Sequence, residues 1–170
     1  MLPNTSQEMP KKYVRSLSRS RINRSGLSVG DVAPSFELPL MNGGFVRLED
    51  FSGSELLLVF SDPNCGPCHE LMPKLKRLHQ RTPDINILVI SRGKCTENVL
   101  KYNQYMHVFP IALQRHWEIS IKYAMFATPI AYLIDAKGMI SSKVAPGADA
   151  ILTLLKGAAI LALLRQETGG

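Results

Sequence analysis

The feature that most constrains this chain is a continuous apolar run, Leu56-Leu57-Leu58-Val59-Phe60, followed closely by Cys65-Gly66-Pro67-Cys68 and a helical pattern. A run with no polar position reads as a strand buried on both faces, as in a parallel sheet covered by helices. Leu71, Leu75 and Leu78 recur at spacings of four and three, so a helix follows the cysteines directly. Pro73 falls inside that helix, where a proline removes a hydrogen bond and bends the axis.

The position of the cysteine pair sets its chemistry. A cysteine at a helix N-terminus meets unpaired backbone N–H groups and the positive end of the helix dipole. Both favour the thiolate, which is the nucleophile in disulfide exchange. A second cysteine one turn on lies within reach of the first. Cys65 is therefore the candidate attacking thiol and Cys68 the candidate resolving thiol. Gly66 and Pro67 shape the turn between them. The competing use of a Cys-x-x-Cys is half of a zinc site, which needs a second ligand pair. Cys95 stands alone, and His69, His79, His107 and His116 form no compact motif, so no metal and no other cofactor is expected.

The rest of the chain reads as alternating strands and helices. Phe36 to Leu40 and Phe45 to Leu48 are short strands around the turn Asn42-Gly43-Gly44. Ile85 to Ile90 is a second central strand. A helix over 96–107, a short strand over 109–113 and a helix over 116–124 follow. Ile130 to Ile134 is a third central strand, which Asp135-Ala136-Lys137-Gly138 turns into a hairpin with Met139 to Val144. A last, largely apolar helix spans 149–164. The fold class expected is α/β, with a central mixed sheet flanked by helices and an N-terminal β extension.

Charge is unevenly distributed. The net charge is +6, and residues 1–26 carry six basic residues against Glu8 alone. Residues 1–28 are read as a disordered basic arm and 29–170 as one domain. The domain itself is nearly neutral, which excludes the basic face that nucleic-acid binding needs. No apolar stretch is long enough to span a membrane, and the first 30 residues lack the apolar core of a signal peptide.

Leu58 through Cys68 resembles the active-site segment of thioredoxins, and Pro73 matches as well. Thr128-Pro129, ahead of a strand, looks like that family's cis-proline loop, although residue chemistry alone favours an ordinary trans bond there. Val29-Gly30-Asp31-Val32-Ala33-Pro34-Ser35-Phe36 resembles the opening of the redoxin branch. That branch holds alkyl hydroperoxide reductases, thiol-specific antioxidants and membrane-tethered thiol–disulfide reductases. The resemblance spans roughly residues 29–155. It implies a thioredoxin fold, a thiol–disulfide oxidoreductase acting through Cys65 and Cys68, and substrate docking at Thr128 and Pro129. Departures from the pattern are Asn64 in place of a tryptophan, Val59 in place of a buried aspartate, and Leu71 in place of an acidic residue beside Glu70.

The partners implied are proteins carrying disulfides or dithiols, together with an electron donor. The resemblance to tethered reductases favours a place outside the cytoplasm and leaves room for a membrane tether in a longer precursor. Two alternatives compete. A redoxin-type peroxidase usually carries threonine three residues before its attacking cysteine, where this chain has Asp62. A non-catalytic binding module on the same fold would have no need of either thiol. Cys95 reads as a spare loop thiol, and Trp117 and Tyr123 as helix packing.

Overall fold

The fold is built around the apolar run. Leu56–Ser61 forms a strand, β3, buried at every position. Its alternate side chains serve two opposite cores, which is why the sequence shows no polar period there. Leu57 and Val59 face one core, and Leu56, Leu58 and Phe60 face the other. The computed structural model describes residues 26–169. The basic arm expected over 1–28 therefore lies almost wholly outside the described residues.

Among the described residues, seven strands and four α-helices occur in chain order. They are β1 (Glu37–Pro39), β2 (Phe45–Arg47), β3, α1 (Gly66–Arg81), β4 (Asn86–Arg92), α2 (Cys95–Tyr102), β5 (Ile111–Gln114), α3 (Glu118–Lys122), β6 (Ile130–Ile134), β7 (Ala145–Pro146) and α4 (Ala148–Thr168). The main sheet has the order β5-β4-β3-β6-β7. β3 runs parallel to β4 and antiparallel to β6, and β5 is parallel to β4. β1 and β2 form the N-terminal extension, an antiparallel pair tied to β5 by the Leu40–Ala112 bridge. The mixed sheet with helices on both faces is the architecture that the strand and helix pattern implies.

One face of the sheet packs Leu71, Met72 and Leu75 of α1 with Ile151, Leu155 and Ala158 of α4. The other packs Phe36, Leu38 and Val46 of the extension with Ile119 of α3 and Tyr123 just after it. Burying a Leu or Ile side chain stabilises the fold by about 1.5–3 kcal/mol, so these two layers hold β3 in place ahead of the cysteines. Among the described residues, no helix is long and apolar enough to cross a membrane.

Several boundaries differ from those the sequence suggests. The first is the return strand of the hairpin. Only Ile140 bridges back to Ile134, and β6 pairs instead with Ala145–Pro146. Ser142 Oγ accepts the Leu133 N–H at 2.9 Å and Ser141 donates both its N–H and its hydroxyl to the Leu133 carbonyl. These serines take up the Leu133 backbone groups, and residues 141–144 bulge out of the ladder. The helix expected over 96–107 ends at Tyr102 and tightens into a 3₁₀ turn over Asn103–Tyr105. The short strand lies at 111–114, the helix after it shrinks to 118–122, and the last helix runs on to Thr168.

His79 in α1 gives the fold a pH dependence. Its Nδ1 is buried without a hydrogen-bond partner and its ring packs edge-on against Phe109 at 6.1 Å. Burial lowers its pKa from the ordinary histidine value. The unfolded chain therefore takes up this proton more readily than the folded one. The contribution is intact above about pH 6.5 and is lost as pH falls from there toward the lowered folded value. Urea midpoints are expected to drop between about pH 7.5 and about pH 5.5, and His79→Leu to flatten that drop. An unchanged slope in His79→Leu rejects this assignment.

Candidate active site

The end of β3 delivers the chain into the site. Asp62, Pro63 and Asn64 form the loop between β3 and α1, and Cys65 is the N-cap of α1 with extended backbone. The Cys68 N–H points at Cys65 Sγ over 3.3 Å, so the sulfur satisfies one of the helix's unpaired donors. Cys65 and Cys68 are joined by a disulfide, with Cα atoms 5.2 Å apart. Cys65 is partly exposed, whereas Cys68 is fully buried. Gly66 and Pro67 are exposed on the helix's first turn. Pro73 lies within α1 on its exposed side, and the helix continues past it to Arg81.

The second loop of the site comes from far along the chain. The Thr128–Pro129 bond is cis. The Thr128 carbonyl oxygen lies 3.5 Å from Cys65 Sγ, across 63 residues of sequence. β3 and β6 pair antiparallel up to Phe60–Ile130, which carries the two loops to the same end of the sheet. Pro129 is buried and Thr128 partly exposed.

The loop before Cys65 is anchored at every residue. Tyr102 of α2, fully buried, donates its hydroxyl to the Asp62 carbonyl at 3.0 Å, and that carbonyl also accepts the Cys65 N–H at 3.1 Å. With its own proton so used, Tyr102 Oη accepts from Ser61 Oγ at 2.9 Å. Burial pushes the Tyr102 hydroxyl pKa up, which keeps it a neutral donor. His69 Nε2 lies 2.6 Å from the Pro63 carbonyl. A carbonyl only accepts, so Nε2 carries the proton. The Asp62 carboxylate accepts the Asn64 N–H on Oδ1 at 2.8 Å, and both Nε and Nη2 of Arg92 on Oδ2 at 2.7 Å.

Residue chemistry alone does not expose these anchors. The parallel register aligns Ser61 with Ser91, so Asp62 and Arg92 leave adjacent strands at the same level. Opposite charges at the ends of two neighbouring apolar runs are the signal that finds them. Trp117 does more than pack a helix: it sits at the start of α3 with the Arg92 guanidinium 4.4 Å from its ring centre. Tyr123 is packing, buried against Phe60 and Tyr132. Cys95 opens α2 rather than lying on a loop and is an exposed free thiol, its Sγ 3.7 Å from the Met41 carbonyl. Glu70 is exposed and Val59 fully buried. A cavity of about 360 Å³ opens at the opposite end of β3 around Leu56, Ile134 and Asp135, remote from the cysteines.

A family model described as the AhpC/TSA family matches residues 29–143, more than half of the chain. The chain belongs to the AhpC/TSA family. Among relatives of this AhpC/TSA protein, the thiol-disulfide oxidoreductase ResA of Bacillus thuringiensis subsp. konkukian is 26% identical over 121 residues, covering 69% of this chain and 70% of ResA. The methylamine utilization protein MauD of Paracoccus denitrificans is 30% identical over 127 residues, covering 72% of this chain and 61% of MauD. The crystal structure of the thioredoxin domain of a thiol-disulfide oxidoreductase from Bacteroides vulgatus superposes with a TM-score of 0.69 at 20% identity, covering 78% of this chain and 99% of that one. That last likeness establishes a thioredoxin fold. With the paired cysteines and the relatives' activity, this AhpC/TSA chain is a thiol–disulfide oxidoreductase of the redoxin branch.

Proposed function

We propose that Cys65 is the attacking thiol and Cys68 the resolving thiol of an exchange with protein disulfides, with Thr128 and Pro129 receiving the partner. The observation that carries this reading is the asymmetry of the pair at the head of α1. Cys65 is accessible and faces the Thr128 carbonyl, while Cys68 is sealed in the core.

The exchange balances as follows. Cys65 thiolate attacks one sulfur of the partner disulfide, forming a Cys65–partner disulfide and releasing the other partner sulfur as a thiolate. Cys68, losing its proton, attacks Cys65 Sγ and expels the second partner thiolate. Two electrons and two protons pass to the partner, and Cys65 and Cys68 end as a disulfide. A dithiol donor resets them, and each step runs in reverse. At the Thr128 edge an extended partner segment can pair through its backbone, which Pro129, without an N–H, does not contest.

Alkylation rates test the assignment. In the reduced protein Cys65 is expected to react with a maleimide well ahead of Cys68, because the helix terminus favours its thiolate and it alone has access to solvent. Equal rates, or faster labelling of Cys68, reject it. The proposal includes action outside the cytoplasm, supported by the resemblance to tethered reductases. A membrane-impermeant maleimide that fails to label Cys65 in intact cells under reducing conditions rejects that part.

A further inference from the structure

We propose that Arg92 is a positioning residue that sets the spacing between the two loops of the site, and so governs the docking of protein disulfides. The proposal rests on the reading of Cys65 as the attacking thiol. Backbone pairing between β3 and β6 stops at Phe60–Ile130, so beyond that point no ladder fixes the Asp62–Cys65 loop against the Phe126–Pro129 loop. A partner segment has to fit between them.

Arg92 bridges this gap from the end of β4. On one side its Nε and Nη2 both hold Asp62 Oδ2 at 2.7 Å, while Asp62 Oδ1 holds the N–H of Asn64, the residue before Cys65. On the other side its guanidinium lies over Trp117, and Trp117 meets Phe126 edge-on at 6.1 Å. Phe126 is two residues from Thr128, whose carbonyl approaches Cys65 Sγ. The contacts close a ring from Cys65 through Asp62, Arg92, Trp117, Phe126 and Thr128 back to Cys65. The Asp62 side chain is 8% exposed, so the pair is shielded from solvent on its acidic side. A planar guanidinium is suited to grip a carboxylate and lie on an indole at once, and an ammonium is not.

Tyr102 and His69 still anchor the Cys65 loop when Arg92 changes; what is expected to shift is its spacing from the Thr128 loop. A protein disulfide, which touches both loops, feels that shift, and a small disulfide, which needs only Cys65, does not. The test uses Arg92→Lys and Trp117→Leu, with insulin and hydroxyethyl disulfide as the two substrates and dithiothreitol as donor. Arg92→Lys keeps a positive charge for Asp62 but loses the stack. Trp117→Leu keeps the ion pair and breaks the link to Phe126. For both variants kcat/KM toward insulin is expected to fall about tenfold, chiefly through KM, since displacements of an ångström cost rates of this order or more. Toward hydroxyethyl disulfide both should stay within about twofold of the parent, a split that a general loss of folding does not produce. Unchanged insulin kinetics in the two variants, or equal losses toward both substrates, overturn the proposal. Failure of the unmodified protein to reduce insulin instead rejects the reading of Cys65, and the proposal with it.

Discussion

Cys68→Ser is expected to accumulate disulfide-linked complexes with partner proteins, and Cys65→Ser to accumulate none. The difference follows from burial and order of attack. In Cys68→Ser the partly exposed Cys65 still opens a partner disulfide, but the buried group that would expel the partner has lost its sulfur. A serine hydroxyl has no usable nucleophilic form near neutral pH, so the mixed disulfide waits for an outside thiol. In Cys65→Ser the remaining thiol is fully buried on the inner side of the first turn of α1, where no partner sulfur reaches it. Both variants should lose essentially all catalytic reduction of insulin, because each lacks one of the two required displacements. Non-reducing gels of affinity-captured protein give the readout. Equal trapping by the two variants overturns the exchange order. Complexes in Cys65→Ser alone reverse the roles. Serine is close to cysteine in volume, and the Cys68 site need not collapse or expand, so loss of fold is not expected to obscure the result.

Much of this site was legible in the residues because strong local signals coincide there. A strand apolar at every position, a cysteine pair and a helical leucine period leave few folds open, and the structure places all three as that reading requires. Thr128-Pro129 was a different case. Residue chemistry alone favours a trans bond, and only likeness to a known family suggested otherwise; the structure has it cis. The hairpin return departs from its strand-like pattern for a local reason. Met139 to Val144 has a strand-like pattern, but the hydroxyls of Ser141 and Ser142 bond the Leu133 backbone in place of a regular ladder. The Asp62–Arg92–Trp117 cluster lies hidden in the sequence because its members come from the loop after β3, the end of β4 and the N-cap of α3. Each looks like an ordinary loop or surface residue until the parallel register sets them side by side.

The same cluster separates a disulfide reductase from a peroxidase, a distinction that family membership alone leaves open. Purified protein with dithiothreitol is expected to reduce insulin readily and to consume hydrogen peroxide slowly. Peroxide reduction needs the attacking thiolate to break an O–O bond, giving a sulfenic acid and releasing hydroxide. The departing oxygen requires a hydrogen-bond donor, a part that threonine can fill three residues before the cysteine. Here that position is Asp62, and its carboxylate is held as an acceptor by the Arg92 fork on one oxygen and the Asn64 N–H on the other. It donates nothing to a bound peroxide. Loss of one such donor lowers rates by about 10²–10³ in enzymes that depend on it. Asp62→Thr restores the residue type but leaves Arg92 without its carboxylate, so peroxide turnover should rise only modestly while insulin reduction falls. Peroxide consumption is followed directly in the parent protein and in Cys68→Ser. Rapid consumption in both means that Cys65 alone reduces peroxide, and that result rejects the disulfide-exchange assignment in favour of a peroxidase.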